Sequence, residues 1–428
     1  MQFTCSPRLR AGCDVLIAGG GIAGVFAALG ARQMGAKVLL VERHSILGGD
    51  GTAGGVCGLC GDTARVNATF DELVGILQSR GAIAPYDASD DQRAYKVEHL
   101  AWALQEMVIR AGVKVLYHTH AADVVGEAGR WTHVLLSTKS GLELQPLEAV
   151  VDATGEADLC ARAGLPTAKG GDDGLQLPMS LYFTLWDTGK PMLTYLPPGC
   201  PQWEGDEDLP MTTLHQHPSG RLDVKMKVIG HDATDADSLT GAELEARKQM
   251  MGLVYHLQSK GYQGIRYAEH ELAFVSRQVG IREGRRAVGG YVLTEEDVRA
   301  GRCFEDAVAV GTYHIDYHWP DRLQRAGTGI TDMVPPYHIP LRSLVPAGSR
   351  NLLVAGRCIS ADQMAMSSYR VMATCAQIGF AAGITAALAC SHGGDAGCVP
   401  YAHVHKALAA GGQRLDLAHY GEYLSHWR

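Results

Sequence analysis

Continuous apolar runs alternate along this chain with stretches of helical spacing, and the first such set frames the rest. Val15-Leu-Ile-Ala18 is a short apolar run, a helical pattern begins near Ile22, and Val38-Leu-Leu-Val41 is a second run that ends on Glu42. Strand, helix, strand is the order these patterns predict, with a parallel pairing of the two strands. Helices are predicted over 69–80 and 97–111, the second from the stripe Val97, Leu100, Leu104 and Val108. A short strand follows at 113–117, then three alternating segments at 123–127, 132–137 and 142–147, separated by turn residues, which read as a meander. From about residue 165 the pattern turns to proline-rich and glycine-rich loops, strand-like segments at 180–186 and 223–228, and a helix over 242–260. Thr294 opens a short helix with acids in its first turn, and the last part holds a buried strand from Asn351 and a small-residue helix over 370–389. The fold class expected is α/β, a Rossmann-like domain over 1–164 and 341–428 with an inserted α+β domain over 165–340.

The turn between the first strand and helix carries G-x-G-x-x-G at Gly19, Gly21 and Gly24. The first glycine permits the tight turn, the second lets a pyrophosphate approach the backbone, and the third allows the helix to pack closely on the strand. Phosphates would meet the N–H groups of a helix starting near Ile22 and Ala23. Glu42 would accept the hydroxyls of an adenosine ribose. The uncharged residues 15–31 follow Arg8 and Arg10 and loosely resemble an export signal, but three consecutive glycines would break a signal helix. The uncharged segment 371–390 holds Thr374, Gln377, Gly379, Gly383 and Thr385, which suits a buried helix better than a membrane span.

Composition narrows the picture only slightly. With 46% hydrophobic and 20% charged residues the chain is that of an ordinary globular enzyme, and a net charge of −8 without a basic run argues against nucleic acid as a partner. Eleven cysteines, an odd number scattered through predicted elements, fit a reducing cytoplasmic setting rather than a disulfide framework.

After Glu42 and Arg43 comes a run of glycines reaching Gly61, too flexible for a strand or helix interior. Gly48, Gly49, Thr52 and Ala53 resemble the second phosphate loop of the glutathione-reductase-like flavoproteins, which implies that the dinucleotide is FAD. The meander crossover is typical of that class, and Ala153, Thr154 and Gly155 resemble its Ala-Thr-Gly strand end beside the cofactor. The order of Gly356, Arg357, Arg370 and Val371 resembles the closing element, whose helix N-terminus faces the flavin. Arg43 and Ala121 complete the expected cofactor set. Together with the segments around Val279-Gly-Ile-Arg282, Tyr337-His-Ile-Pro340 and Asn351-Leu-Leu-Val354, the chain resembles the FAD-dependent oxidoreductase family over nearly its whole length, and more remotely the fumarate-reductase and succinate-dehydrogenase flavoproteins.

That resemblance implies an oxidoreductase, dehydrogenase or oxidase, that passes hydride between a small polar substrate and flavin N5. His318 matches a histidine of the family pattern and is expected to act as a base beside the flavin, since an imidazole exchanges protons near neutrality. Arg282 and Arg286, with Arg285 and Arg342 nearby, are candidates to clamp a carboxylate, with ion pairs to acids such as Glu283 as the competing role. Tyr337 is a candidate for positioning. Cys57-Gly-Leu-Cys60 falls where disulfide reductases keep their redox pair, so a thiol relay or an NAD(P)H-linked reductase is the alternative, and a flavoprotein subunit fed by another protein is a third. No metal is expected, because zinc would need two further ligands. The glycines at 170–171, 280–290 and 327–329 do not open a second dinucleotide-binding unit, so oxygen, a quinone or a protein is expected to accept the electrons. A homo-oligomer is compatible with the sequence, and no membrane segment is expected.

Overall fold

The computed structural model describes residues 6–87, 92–216, 220–324 and 329–420. Its central element is a five-stranded parallel sheet in the order Leu352–Val354, Ala149–Asp152, Val15–Ala18, Val38–Val41, Lys114–Leu116. The three middle strands are buried at every position, which is why their sequences are apolar runs, interrupted only by Asp152 at the end of Ala149–Asp152: both faces of a parallel sheet are covered. The helix Ile22–Gln33 covers one face together with Met372–Ser391, and these two helices meet through small residues. A Cβ at Gly379 or Gly383 would collide with the carbonyl oxygens of Ala23 and Ala27, and one at Gly30 with that of Phe380. Met372–Ser391 is the one described helix long and apolar enough to cross a membrane, and 83% of its most apolar window is buried inside the protein.

The expected meander is present as His120–Glu127, Arg130–Thr138 and Gly141–Pro146, joined on its edge by a parallel strand, Arg8–Leu9. The closing helix differs from expectation at its start. The small-residue pattern predicted one helix from 370, whereas the chain forms Gln363–Tyr369, breaks at Arg370 and Val371, and begins again at Met372. Asp362 caps the first of these through Ala365 N at 2.7 Å.

A second core lies between 179 and 281. Four antiparallel strands in the order Thr212–Gln216, Arg221–Val228, Met179–Asp187, His270–Val275 pack one face on the helix Ala236–Ser259. Alternation sorts the faces: Leu222, Val224, Met226 and Val228 join Leu181, Phe183 and Leu185 in the core, while Asp223, Lys225, Lys227, Ser180 and Tyr182 point the other way. The insertion expected over 165–340 therefore divides. Residues from 286 onward pack into the first core, through Ala287, Leu293, Val298, Val308, Tyr337 and Ile339, because Ala307–Gly311 and Tyr337–Pro340 pair with each other against the closing helices. Of the glycine segments inspected for a second dinucleotide unit, residues 327 and 328 lie outside the described part.

Candidate active site

Four strand ends of the parallel sheet open on one cleft. Gly19 follows Val15–Ala18, Glu42 follows Val38–Val41, Ala153 to Gly155 follow Ala149–Asp152, and Ala355 and Gly356 follow Leu352–Val354. Crevices at the carboxyl ends of parallel strands are where this architecture holds ligands. Gly19 has φ +100°, and a Cβ there would run into the Ala153 carbonyl, so the turn demands glycine. The helix beginning at Ile22 has no side-chain cap and no acid in its first turn, so its N–H groups remain available to an anion. Glu42 is held by one backbone donor on each oxygen: Oε2 accepts from Gly20 N and Oε1 from His44 N, each at 2.7 Å, leaving the remaining lone pairs for a ribose.

Of the expected cofactor residues, Gly19, Gly21, Ile22, Ala23, Glu42, Arg43, Gly48, Gly49, Ala121, Ala153, Thr154, Gly155, Gly356, Arg357 and Arg370 line this cleft. Gly24 does not. It serves packing, because a Cβ there would strike the Gly19 carbonyl oxygen. Thr52 and Ala53 are also set back: Thr52 Oγ1 donates to Leu47 O at 2.6 Å, and Ala53 O accepts from Arg277 N at 2.9 Å, so both shape the loop from behind. Val371 lines the neighbouring cavity instead, as the uncapped start of Met372–Ser391. His44, Asp50, His120 and Gln278 belong to the cleft without having been expected there.

A cavity of about 260 Å³ adjoins the cleft and shares Asp50, Gly51, Arg357, Arg370 and Met372 with it. Its walls come from distant parts of the chain: Cys60 from the glycine loop, Ser180, Tyr182 and Lys225 from the polar face of the second sheet, Arg282, and Asp316 with His318. Asp316 and His318 are two apart on the strand Ile315–His318 and so share a face, with His318 Nε2 3.1 Å from Asp316 Oδ1. Arg370 donates to the main-chain oxygen and to Oδ2 of the same Asp316, at 2.8 and 2.9 Å. Burial works to raise the Asp316 carboxyl, but the hydrogen bond from His318 and the positive charges of Arg370 and Arg282 hold it well below the usual range.

The same surroundings act oppositely on His318. Burial, reinforced by Arg282, brings its pKa down to about 4, against the opposing pull of Asp316. The imidazole expected to titrate near neutrality is thus uncharged there, with Nε2–H given to Asp316 and Nδ1 buried without a partner. Two further orphaned atoms, Arg357 Nε and Arg370 Nε, belong to the arginines shared by cleft and cavity. Buried unpaired donors beside an uncapped glycine turn suit a bound anionic cofactor, so the residues present fit FAD.

Two expected catalytic residues are not in the cavity. Arg286 is buried in the structural interior, paired with Glu283 and donating to Ala361 O and Gly170 O at 3.0 and 2.9 Å. Tyr337 is fully buried, its hydroxyl donating to Ser368 Oγ at 2.8 Å. Arg285 pairs with Asp158, and Arg342 with Asp306. Only Arg282 of the arginine cluster faces the cavity, braced by Nη1 donating to Pro178 O and Ser180 Oγ at 2.8 and 2.7 Å. The cation of the cavity that sequence reasoning missed is Lys225. Its signal was the alternation Leu222-Asp-Val-Lys-Met-Lys-Val228, a half-buried strand with lysines on its wet face. Cys57 is buried outside the cavity, and burial, with Asp223 adding, pushes its thiol up to about 12.

A strand-end dinucleotide cleft joined to a charged cavity is the arrangement of a cofactor-dependent enzyme. The chain belongs to the FAD dependent oxidoreductase family, matching it over residues 14–408, and FAD is its cofactor. It is similar to the thiamine thiazole synthase of Methanococcus aeolicus, 34% identical over 153 residues, 33% of this chain and 54% of that one, so it spans about half the length of this curated relative. Among solved structures it resembles CabE, an aromatic hydroxylase from angucycline biosynthesis, at 14% identity and a TM-score of 0.51, covering 94% of this chain and 67% of that one. The anhydrotetracycline hydroxylase OxyS of Streptomyces rimosus follows at 12% identity and a TM-score of 0.48, covering 93% and 65%. At its identity the CabE structure shows the shared fold alone.

Proposed function

We propose that the enzyme oxidises a small polar organic molecule in the cavity lined by Arg282 and His318, by hydride transfer from a substrate carbon to flavin N5. The observation that carries this reading is the wall common to cleft and cavity: five residues, Asp50, Gly51, Arg357, Arg370 and Met372, border both, so a molecule in the cavity adjoins whatever the cleft holds. At about 260 Å³ the cavity lies below the range of drug-sized pockets, which favours a small substrate. Bound FAD would supply a two-electron acceptor. Gly19, Gly21 and the uncapped helix at Ile22 would hold its phosphates, Glu42 its ribose, and the helix start at Val371 would face the charge that develops on reduction.

The chain's own groups orient the substrate. Asp316 fixes the His318 ring, leaving Nδ1 as the acceptor for a substrate O–H or N–H, the proton that must leave as the carbon is oxidised. Arg282, braced by Pro178 and Ser180, keeps its remaining donors toward the cavity. The thiol relay is disfavoured by Cys57, whose thiol is buried away from the cavity and held protonated. Among the described residues the five-stranded sheet is the one that is parallel throughout, and the two four-stranded sheets pair antiparallel apart from the edge strand Arg8–Leu9, which supports oxygen, a quinone or a protein as electron acceptor. Anaerobic mixing of the holoenzyme with small hydroxy and amino compounds tests the reading: one of them should bleach the flavin within seconds, and NADH and NADPH should not. Rapid bleaching by either nicotinamide would sink it.

A further inference from the structure

Charge is unevenly balanced around the cavity. Arg357 is matched by Asp50 at 2.8 Å and by Glu156, and Arg370 by Asp316 at 2.9 Å. Lys225 and Arg282 have no carboxylate partner among the described residues, although both line the cavity. They belong to one wall. Lys225 pairs in register with Tyr182 of the neighbouring strand, and Arg282 is hydrogen-bonded to Ser180, two residues earlier on the same face. Two cations partly withdrawn from water, neither with a carboxylate of its own, are costly, so such a pair is expected where a ligand brings further negative charge.

The surroundings of Lys225 agree. On its own strand Asp223 is committed to Thr184 and Arg221, and Lys227 to the carbonyls of Trp319 and Arg322. From facing elements Arg282 and Arg370 oppose its charge, while Asp316 and Cys60 favour it, and His318 is neutral nearby. Burial, then Arg282, brings Lys225 down to about 8.

We propose that the cavity takes a small carboxylate, its anionic group bridging Lys225 and Arg282. The proposal rests on the reading of this cavity as the substrate site and names the substrate class. An arginine edge and one ammonium group meet the two oxygens of a carboxylate. The ligand brings the further negative charge, and its carbon skeleton extends toward the wall shared with the cofactor cleft. Lys225 must carry its proton for the bridge to form, so binding weakens as pH rises through about 8.

Equilibrium titration of the purified holoenzyme with acetate, pyruvate and oxalate, followed by the flavin absorption spectrum between pH 6.5 and 9.5, tests this. The carboxylates should perturb the spectrum, with Kd rising about tenfold per pH unit above about 8. In Lys225→Arg, whose guanidinium keeps its charge, Kd should change less than about twofold over the same range. In Lys225→Met it should be at least about tenfold weaker at pH 6.5. FAD content, measured on each variant, separates a lost site from a lost fold. Carboxylate binding that is independent of pH and unchanged in Lys225→Met overturns the proposal, as does a preference for acetamide or inorganic phosphate over acetate. Perturbation by neutral alcohols and amides alone would overturn the carboxylate while keeping the cavity as substrate site, and a spectrum indifferent to every probe would overturn both.

Discussion

The parallel sheet beneath the cofactor cleft and the antiparallel sheet beside the cavity work in opposite ways. The parallel sheet is apolar on both faces and offers function only at its strand ends, where Gly19, Glu42, Ala153 and Gly356 turn backbone toward the cofactor cleft. The antiparallel sheet buries one face on the helix Ala236–Ser259 and gives the other, with Ser180, Tyr182 and Lys225, to the cavity. Cofactor recognition therefore rests on the backbone shape of the turns, to which Glu42 adds its carboxylate, and substrate recognition on side chains standing on a sheet face, which can be exchanged without disturbing the core beneath. One scaffold can in this way keep its cofactor and change its substrate.

The sharpest way to break the comparison is at the backbone. Gly24→Val would drive a branched side chain into the Gly19 carbonyl, where even a Cβ has no room. Overpacking of this kind costs about 3 kcal/mol, and FAD affinity should fall roughly 100-fold. Reconstitution of the apoprotein followed by flavin fluorescence measures it, and unchanged affinity would mean that the turn is not part of the cofactor site. Glu42→Ala should follow in size. It removes charge-assisted hydrogen bonds of roughly 1.5 to 3 kcal/mol, including those that tether Gly20 and His44, so a tenfold to hundredfold loss of FAD affinity is expected.

On the side-chain half, His318→Ala should leave FAD bound and slow anaerobic flavin reduction about 100-fold with the best small substrate, the usual contribution of a group that handles the proton. A normal rate in stopped flow would return His318 to a packing role beside Asp316. Away from both sites, Gly383→Ala pushes a methyl group toward the Ala27 carbonyl and should lower stability by about 1 to 3 kcal/mol with the flavin spectrum intact, seen as a lower Tm.

The difference between the sheets also explains what could be read from the sequence. The parallel strands, the glycine turn and Glu42 are contiguous, and their chemistry follows from local spacing, so 15 of the expected cofactor residues lie in the cleft. The cavity is assembled from segments as distant as Cys60, Lys225, Arg282 and His318, which only tertiary packing brings together. Arg282 and Arg286 show the limit: four residues apart in one basic cluster, one faces the cavity and the other is spent on Glu283. Tyr337 failed similarly, because nothing local distinguishes a tyrosine that lines a cavity from one whose hydroxyl reaches a buried serine. The strand-face rule would have found Lys225 once its strand was placed against a core, since its alternation with Leu222, Val224 and Met226 was present in the sequence throughout.

The smallest effect is expected at the cysteines, and it tests how far position along the glycine loop determines chemistry. Cys57 precedes and Cys60 ends the three-residue strand Gly58–Cys60, and of the two only Cys60 lines the cavity. Cys57 is buried, and its thiol, pushed up to about 12 first by desolvation and then by Asp223, is almost wholly protonated at pH 8. Since the thiolate is the reactive form, alkylation of Cys57 by iodoacetamide in the native holoenzyme should be more than about 1000-fold slower than that of an ordinary exposed thiol. Cys57→Ser should correspondingly change the rate of flavin reduction by less than about twofold, because a group that cannot ionise contributes nothing to a relay. Peptide mapping after timed alkylation and stopped-flow reduction of the variant give the two answers independently. Fast labelling of Cys57 together with loss of turnover in the serine variant, at full FAD content, would move electron flow out of the cavity and onto the loop.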